Sequence, residues 1–404
     1  MRSSHTDRLP VSLHHLRRMT DDTGLIEHAI GRIPRRQEGY STDDNARALW
    51  LAYEWLRYAR ERGLEEEAAE LARLIDIYFA FLAWVQKSDG WFHNNVSYDR
   101  RFELEVPSDD CQGRSVYALA VAMCEERDPA RLTAYAQVLR RGLEAAFALT
   151  HVRGVAHVVA AAARLLQHAE TSKASQEAVP EFWAFVRQRL PGVVERGARD
   201  LVARFETHAR GDWPWFEERM TYDNAVMPWA LFEAYRLEGQ GRWREVAEAS
   251  LEGLLARMRT PEGRVRPIGN RGFAAPGFTA LWDQQPLEIA QLAIACDAAW
   301  RATGDGAYLQ IVAQCQRWFF GENDRGAPMA DPFDGSCCDG LTPQGPNLNR
   351  GAESTWSYLV TEVHVEKAFA DLPDAARAYG AWVGVSRQNA VASEGRKALG
   401  ALPR

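Results

Sequence analysis

The chain has 404 residues, 46% of them hydrophobic and 25% charged, with a formal net charge of −7. That balance suits a globular protein with a sizeable core, and its sign gives no general attraction for nucleic acid or an anionic membrane, so neither is expected as a partner. Residues 1–10 are polar and no apolar run approaches the ~20 residues that span a bilayer, so a soluble, cytoplasmic chain is expected.

Residues 41–395 read as one domain, 1–40 as an N-terminal extension that packs on it, and 396–404 as a tail. Segment 42–62 carries Ala46, Leu49, Trp50, Tyr53 and Leu56 at helical spacing, and Gly63 stops it after basic residues. Glu65-Glu66-Glu67 opens a second helix that continues to about Val85. Further pairs span 109–126 with 129–148, 152–168 with 176–206, 223–238 with 242–258, 284–302 with 305–320, and 352–369 with 373–392. Pro180 marks a first turn, and Pro191 is expected to kink or split its helix. Segment 91–106 alternates apolar and polar residues and reads as a small β-hairpin. The fold class is thus all-α, six helical hairpins with a small β element. Links within pairs are short. The long ones, 87–108, 207–222, 259–283 and 321–351, all precede the first helix of a pair and so share one face. Long, aromatic-rich loops in a compact domain point to function.

Polar motifs recur where the first helix of a pair begins: Thr42-Asp43-Asp44-Asn45, Ser108-Asp109-Asp110-Cys111-Gln112, Thr221-Tyr222-Asp223-Asn224, Trp282-Asp283-Gln284-Gln285 and Gly351-Ala352-Glu353-Ser354-Thr355. If these helices run parallel, the motifs gather carboxylates and amides at one mouth, which suits carbohydrate chemistry. On these strings the chain resembles the six-hairpin glycosidase superfamily over residues 40–395. It is similar in particular to bacterial modules found beside, or joined to, sugar-nucleotide glycosyltransferases. The resemblance implies an (α/α)6 toroid, an active site at the N-terminal ends of six inner helices, a sugar or oligosaccharide ligand, and functional association with a glycosyltransferase.

Each motif also has a structural reading. Thr42 or Asp43 fits an N-cap, which leaves Asp44 and Arg47 to meet ligand. Ser108 is the simplest cap of the next pair; Asp109 and Asp110 then remain, with Arg114 as a brace for one of them. Trp213 and Trp215 sit beside Glu217, Glu218, Tyr222, Asp223 and Asn224. Indole faces and carboxylates together recognise sugars, although aromatics here also serve to close the barrel end. Asp283 reads as a cap, Pro286 fits a first turn and Glu288 suits the positive helix end, while Gln284 and Gln285 offer donors and acceptors to hydroxyls. Trp91, Asn94 and Asn349 join them as substrate-binding candidates on mouth loops. Glu353 begins the last inner helix, where an acid also satisfies the dipole.

The expected chemistry is inverting glycoside cleavage, by water or by phosphate, with a protonated and an ionised carboxyl about 6.5–9.5 Å apart. The candidates are Asp44, Asp110, Glu218, Asp223 and Glu353, with acid and base unassigned. A sugar epimerase using two of His93, His151, His157 and His208 is one alternative. A non-catalytic glycan-binding protein is a second, and a terpene cyclase-like toroid, disfavoured by the polar Asn and Gln, is a third. No cofactor is required and no metal site is expected. The six cysteines form no paired CxxC sets and read as reduced thiols, with the vicinal Cys337-Cys338 in a Gly-rich loop.

Overall fold

The computed structural model describes residues 9–104 and 106–370. In chain order the helices are α1 (His14–Met19), α2 (Thr42–Arg62), α3 (Glu65–Val85), α4 (Asp109–Glu125), α5 (Pro129–Ala146), α6 (Val152–Thr171), α7 (Lys173–Ala178), α8 (Pro180–His208), α9 (Val226–Glu238), α10 (Gly241–Arg257), α11 (Pro286–Thr303), α12 (Ala307–Phe319) and α13 (Ala352–Ala370). The expected helix over 373–392 lies outside the described residues. No helix among the described residues is long and apolar enough to cross a membrane.

Six helices close a ring. α2 packs on α4, α4 on α6, α6 on α9, α9 on α11, α11 on α13, and α13 returns to α2. Outside them, α3 lies on α2, α5 on α4, α8 on α6, α10 on α9, and α12 on α11 and α13. The sequence dictates this division. In α4 every residue from Asp110 to Met123 is buried, and in α11 every residue from Pro286 to Ala299. A helix covered on all sides belongs in the inner layer. Gly63 and Gly304 end α2 and α11 in the left-handed conformation, at φ 69° and 76°, and so turn the chain sharply outward.

Short strands lie in the loops. β1 (Ala29–Ile30) pairs with β2 (Ile33–Pro34), β3 (Tyr40–Ser41) with β4 (Asn95–Val96), β5 (Ala274–Ala275) with β6 (Phe278–Thr279), β7 (Ala330–Asp331) with β8 (Ser336–Cys337), and β9 (Gly340–Thr342) with β10 (Gly345–Asn347), all antiparallel. Segment 91–106 turns back through a bridge between Val96 and Phe102, but its one strand, β4, pairs with the residues just before α2.

Three sequence expectations need correction. Pro191 neither splits nor ends its helix, which runs unbroken from Pro180 to His208. Both Pro191 and Arg187, whose carbonyl loses its donor, lie on the exposed face of the helix, where a missing bond costs less than in the core. A separate short helix, α7, precedes it. The fourth inner helix begins at Val226, not 223, because Asp223 adopts a left-handed φ of 49° and is used in the site.

An aromatic plate crosses the ring axis. Trp50 of α2 lies with its ring centroid 4.8 Å from Tyr117 of α4, 6.3 Å from Trp229 of α9 and 5.4 Å from Trp356 of α13. His157 of α6 meets Trp229 at 5.9 Å. The plate separates a cavity at the N-terminal ends of the inner helices from another at their C-terminal ends.

The α4–α6 contact is close because glycines face each other. A Cβ on Gly154 would lie 2.5 Å from the Asp109 carbonyl oxygen, and one on Gly113 2.7 Å from that of Gly154. Gly154→Ala is expected to destabilise the chain by about 1–3 kcal/mol, an overpacking cost. Its thermal midpoint, measured beside the parent, checks this.

Candidate functional site

The first turn of α2 is capped by Ser41, whose Oγ accepts the Asp44 backbone N–H at 3.1 Å. The cap is therefore neither Thr42 nor Asp43, as the sequence suggested. Thr42 instead donates its hydroxyl to the His93 carbonyl oxygen at 2.5 Å. Both aspartates are thereby released for side-chain pairing, and Asn45 is spent on the backbone of Leu25 and Ser41.

Arg114, on α4, joins three hairpins. It donates from Nη1 to Asp43 Oδ2 at 2.7 Å and from Nη2 to Asp223 Oδ2 at 3.0 Å. The other oxygens, Asp43 Oδ1 and Asp223 Oδ1, are buried and have no hydrogen-bond partner among the described residues. Asp43 keeps 31% side-chain exposure because it borders the open mouth. Beside this cluster Arg47 donates from Nη1 to Asp44 Oδ1 at 3.0 Å and pairs with Glu353 Oε2 at 3.1 Å. Arg47, Arg114, His157, Asp223 and Gln291 line one narrow cavity above the aromatic plate.

Asp223 is held by a residue the sequence presented only as a helix-start acid. Glu288, in the first turn of α11, accepts the Asp223 backbone N–H at 2.5 Å on Oε1 and the Asn224 side-chain amide at 2.8 Å on Oε2. Arg153, on α6, supports the same loop by donating to the Tyr222 carbonyl oxygen at 2.6 Å and to Thr221 Oγ1 at 2.8 Å, and by pairing with Glu217 at 3.1 Å. Tyr222 in turn donates its hydroxyl to Asp110 Oδ2, whose Oδ1 meets His151 Nδ1 at 2.8 Å.

The ionisation states of these acids diverge. Burial pushes Asp44 up to about 7, with Glu353 and the neighbouring acids adding to it against the pull of Arg47. Burial likewise lifts Glu288 to about 7. It acts the same way on Asp223 and Asp43, but the Arg114 guanidinium outweighs it and holds both below the usual carboxylate value. His157 is pushed down by burial and is neutral at pH 7.

Other candidates lie elsewhere. Trp213 and Trp215 are buried, 2% and 0% exposed, and present no face to a sugar. Trp213 donates to the Glu217 carbonyl oxygen at 2.9 Å and lies under the Arg257 guanidinium, while Trp215 packs edge-on against Phe216. Glu218 is exposed; its neighbour Glu217 faces inward. Asp109 accepts the backbone N–H groups of Thr150 and His151 at 2.8 and 2.7 Å, capping the approach to α6. Asp283 does not cap α11, since it pairs with Arg271 at 3.0 Å and Gln285 takes the cap position without a side-chain bond. Gln284 is fully buried between Asp324 and Trp318, and it exchanges backbone bonds with Leu341. Asn349 accepts the Gly31 N–H at 3.0 Å. Asn94 donates to the Val106 carbonyl oxygen at 3.1 Å, and Trp91 lies half-buried in the turn after α3. Among the histidines, His93 stacks on Phe102 with 4.2 Å between ring centroids. His208 is the last residue of α8.

Arg153 and Glu288 carried a readable signal. Each is a charge in the first turn of a buried inner helix, followed by a largely apolar stretch, and a buried charge there needs a partner.

No family model matches the chain, and no curated protein does. Solved structures do. Cellobiose 2-epimerase from Bacillus thermoamylovorans superposes with a TM-score of 0.60 at 11% identity, covering 89% of this chain and 96% of its own. A family 76 α-mannanase from Bacteroides thetaiotaomicron gives 0.58 at 10% identity, covering 88% and 95%. A C. cellulolyticum cellulase in complex with cellobiose gives 0.55 at 9% identity, covering 86% and 88%. The fold is the six-hairpin (α/α)6 toroid. Within that toroid the Asp43–Arg114–Asp223 cluster lies at the N-terminal ends of the inner helices, and the long loops surround it.

Proposed function

We propose that this toroid is a carbohydrate-active enzyme that cleaves glycosidic bonds at its N-terminal mouth with inversion. Asp44 is the general acid and Asp223 the general base. The observation that carries this reading is the opposite ionisation of the two carboxyls: Asp44 titrates at about 7 and so keeps a proton to give, while Arg114 holds Asp223 ionised below the usual carboxylate value. Two environments that push two carboxyls at the same end of the ring apart in ionisation are what acid–base catalysis needs.

Binding, protonation and attack fall to different groups. Asp43 Oδ1 accepts a sugar hydroxyl beside the Arg114 guanidinium, which leaves Asp223 Oδ1 for the attacking water. Asp44 transfers its proton to the departing glycosidic oxygen. Asp223 takes a proton from water, whose oxygen bonds to the anomeric carbon as the old bond breaks. Phosphate replaces water without changing the acid's role, and Arg47 and Arg114 suit its charge.

A second reading, sugar epimerisation, is favoured by one contact. His151 is half-exposed at the mouth and held by Asp110, so one ring nitrogen stays available for proton transfer. Incubation with an oligosaccharide panel, with and without phosphate, separates the two. Shorter products with inverted anomeric configuration, or a sugar 1-phosphate, are expected. An isomeric product of unchanged length replaces hydrolysis with epimerisation, and no turnover of any sugar refutes both.

A further inference from the structure

The C-terminal ends of the inner helices enclose a second cavity of about 400 Å³, within the size range of small-molecule sites. Trp50, Tyr117 and Trp229 form its inner wall and so divide it from the mouth. Two clusters face it. Glu54, 3% exposed, accepts Lys367 Nζ at 2.6 Å and also pairs with Arg57 and Arg164. Asp297 pairs with Arg301 Nε at 3.0 Å and with His364 Nδ1 at 2.9 Å.

His364 is the telling residue. It is 6% exposed. Burial pushes it below its ordinary value, although Asp297 opposes this, so its ring is neutral. The Nδ1 proton goes to Asp297, which leaves a bare lone pair on Nε2. That Nε2 is buried and has no partner among the described residues; the same is true of His168 Nε2 and Arg164 Nε. Buried polar atoms in native folds almost always find a partner. Here three without one surround the same cavity.

The charge of the cavity narrows the occupant. Five arginine or lysine and four acidic side chains line it, which leaves one net positive charge. The negative ends of the inner-helix dipoles offset that charge. An anion gains little here. A ring of hydroxyls gains much, because acceptors (Glu54, His364 Nε2) and donors (Lys367, Arg164) line the same cavity.

We propose that this lower cavity is a second, non-catalytic binding site for a neutral monosaccharide, with His364 Nε2 and Glu54 accepting its hydroxyls. The inference is independent of the chemistry assigned to the mouth. Isothermal titration of the full chain with glucose, mannose, galactose and N-acetylglucosamine tests it, with inorganic phosphate as the anionic contrast. At least one sugar is expected to bind the parent. His364→Ala is expected to bind roughly tenfold more weakly, the loss of a buried hydrogen bond. Where that variant melts early, Arg301→Trp serves instead, since Arg301 is 35% exposed at the rim and its replacement narrows the opening. Binding of phosphate alone, or sugar binding that neither variant weakens, overturns the proposal. So does the absence of sugar binding.

Discussion

Asp44→Asn and Asp223→Asn are each expected to lower turnover by roughly 10²–10⁴-fold, the usual worth of a positioned acid or base. The amide keeps the shape of the carboxyl but neither gives nor takes a proton. Glu218→Gln is the control, since Glu218 is exposed, and its rate should stay within a few-fold of the parent. The pH dependence adds an independent check. Turnover in the parent is expected to fall as pH rises through about 7, where Asp44 loses its proton. Stability follows the same group. Asp44 and Glu288 hold protons in the folded state that the unfolded chain releases near pH ~4. Their contribution is therefore fully present below that pH and is lost as pH rises through about 7. Asp43 and Asp223 behave oppositely: their contribution is present above pH ~4 and is lost as pH falls through their depressed values. Asp44→Asn should accordingly lose less stability than the parent between pH 5 and 8. Full activity in both amide variants, measured on a substrate found by the panel, would refute the assignment.

Much of the architecture is legible in the sequence because it is local. Helical periodicity, Gly63 and Gly304 as stops, and long loops before alternate helices all come from neighbouring residues. The pairing of charges is not local. Arg114 meets Asp43 across 71 residues and Asp223 across 109, and only ring closure brings them together. Trp213 and Trp215 were misleading for a related reason. A Trp-rich stretch beside carboxylates fits a sugar platform, but the same stretch closes the gap between outer helices. Its packing is tight enough that a Cβ on Gly253 would lie 2.5 Å from the Pro214 side chain. Composition alone does not separate those uses. The Ser41 cap shows the finer limit, since a cap one residue earlier than expected changes which aspartates are available.

Arg114→Met is expected to be the most destabilising single change at the mouth, by about 3–5 kcal/mol, the cost of removing one partner from a buried ion cluster. Methionine fills much of the arginine stem, so the loss is chiefly electrostatic. It leaves the buried Asp223 and the part-exposed Asp43 without the guanidinium that joins them, and with only the weaker pull of Arg47 to hold their charge. Both should then titrate upward, and the variant should recover stability as pH falls towards 5, whereas the parent should not. Adding Asp43→Asn and Asp223→Asn to the same chain removes the stranded charges. The triple variant should be more stable than Arg114→Met alone at pH 7, because deleting a whole buried cluster costs less than breaking it. Thermal midpoints of the single and triple variants at pH 5 and 7 measure this directly. If the triple variant is the less stable at pH 7, the cluster acts through packing and not through charge. The depressed titration of Asp223, and with it the base assigned to that residue, would then lose its physical cause.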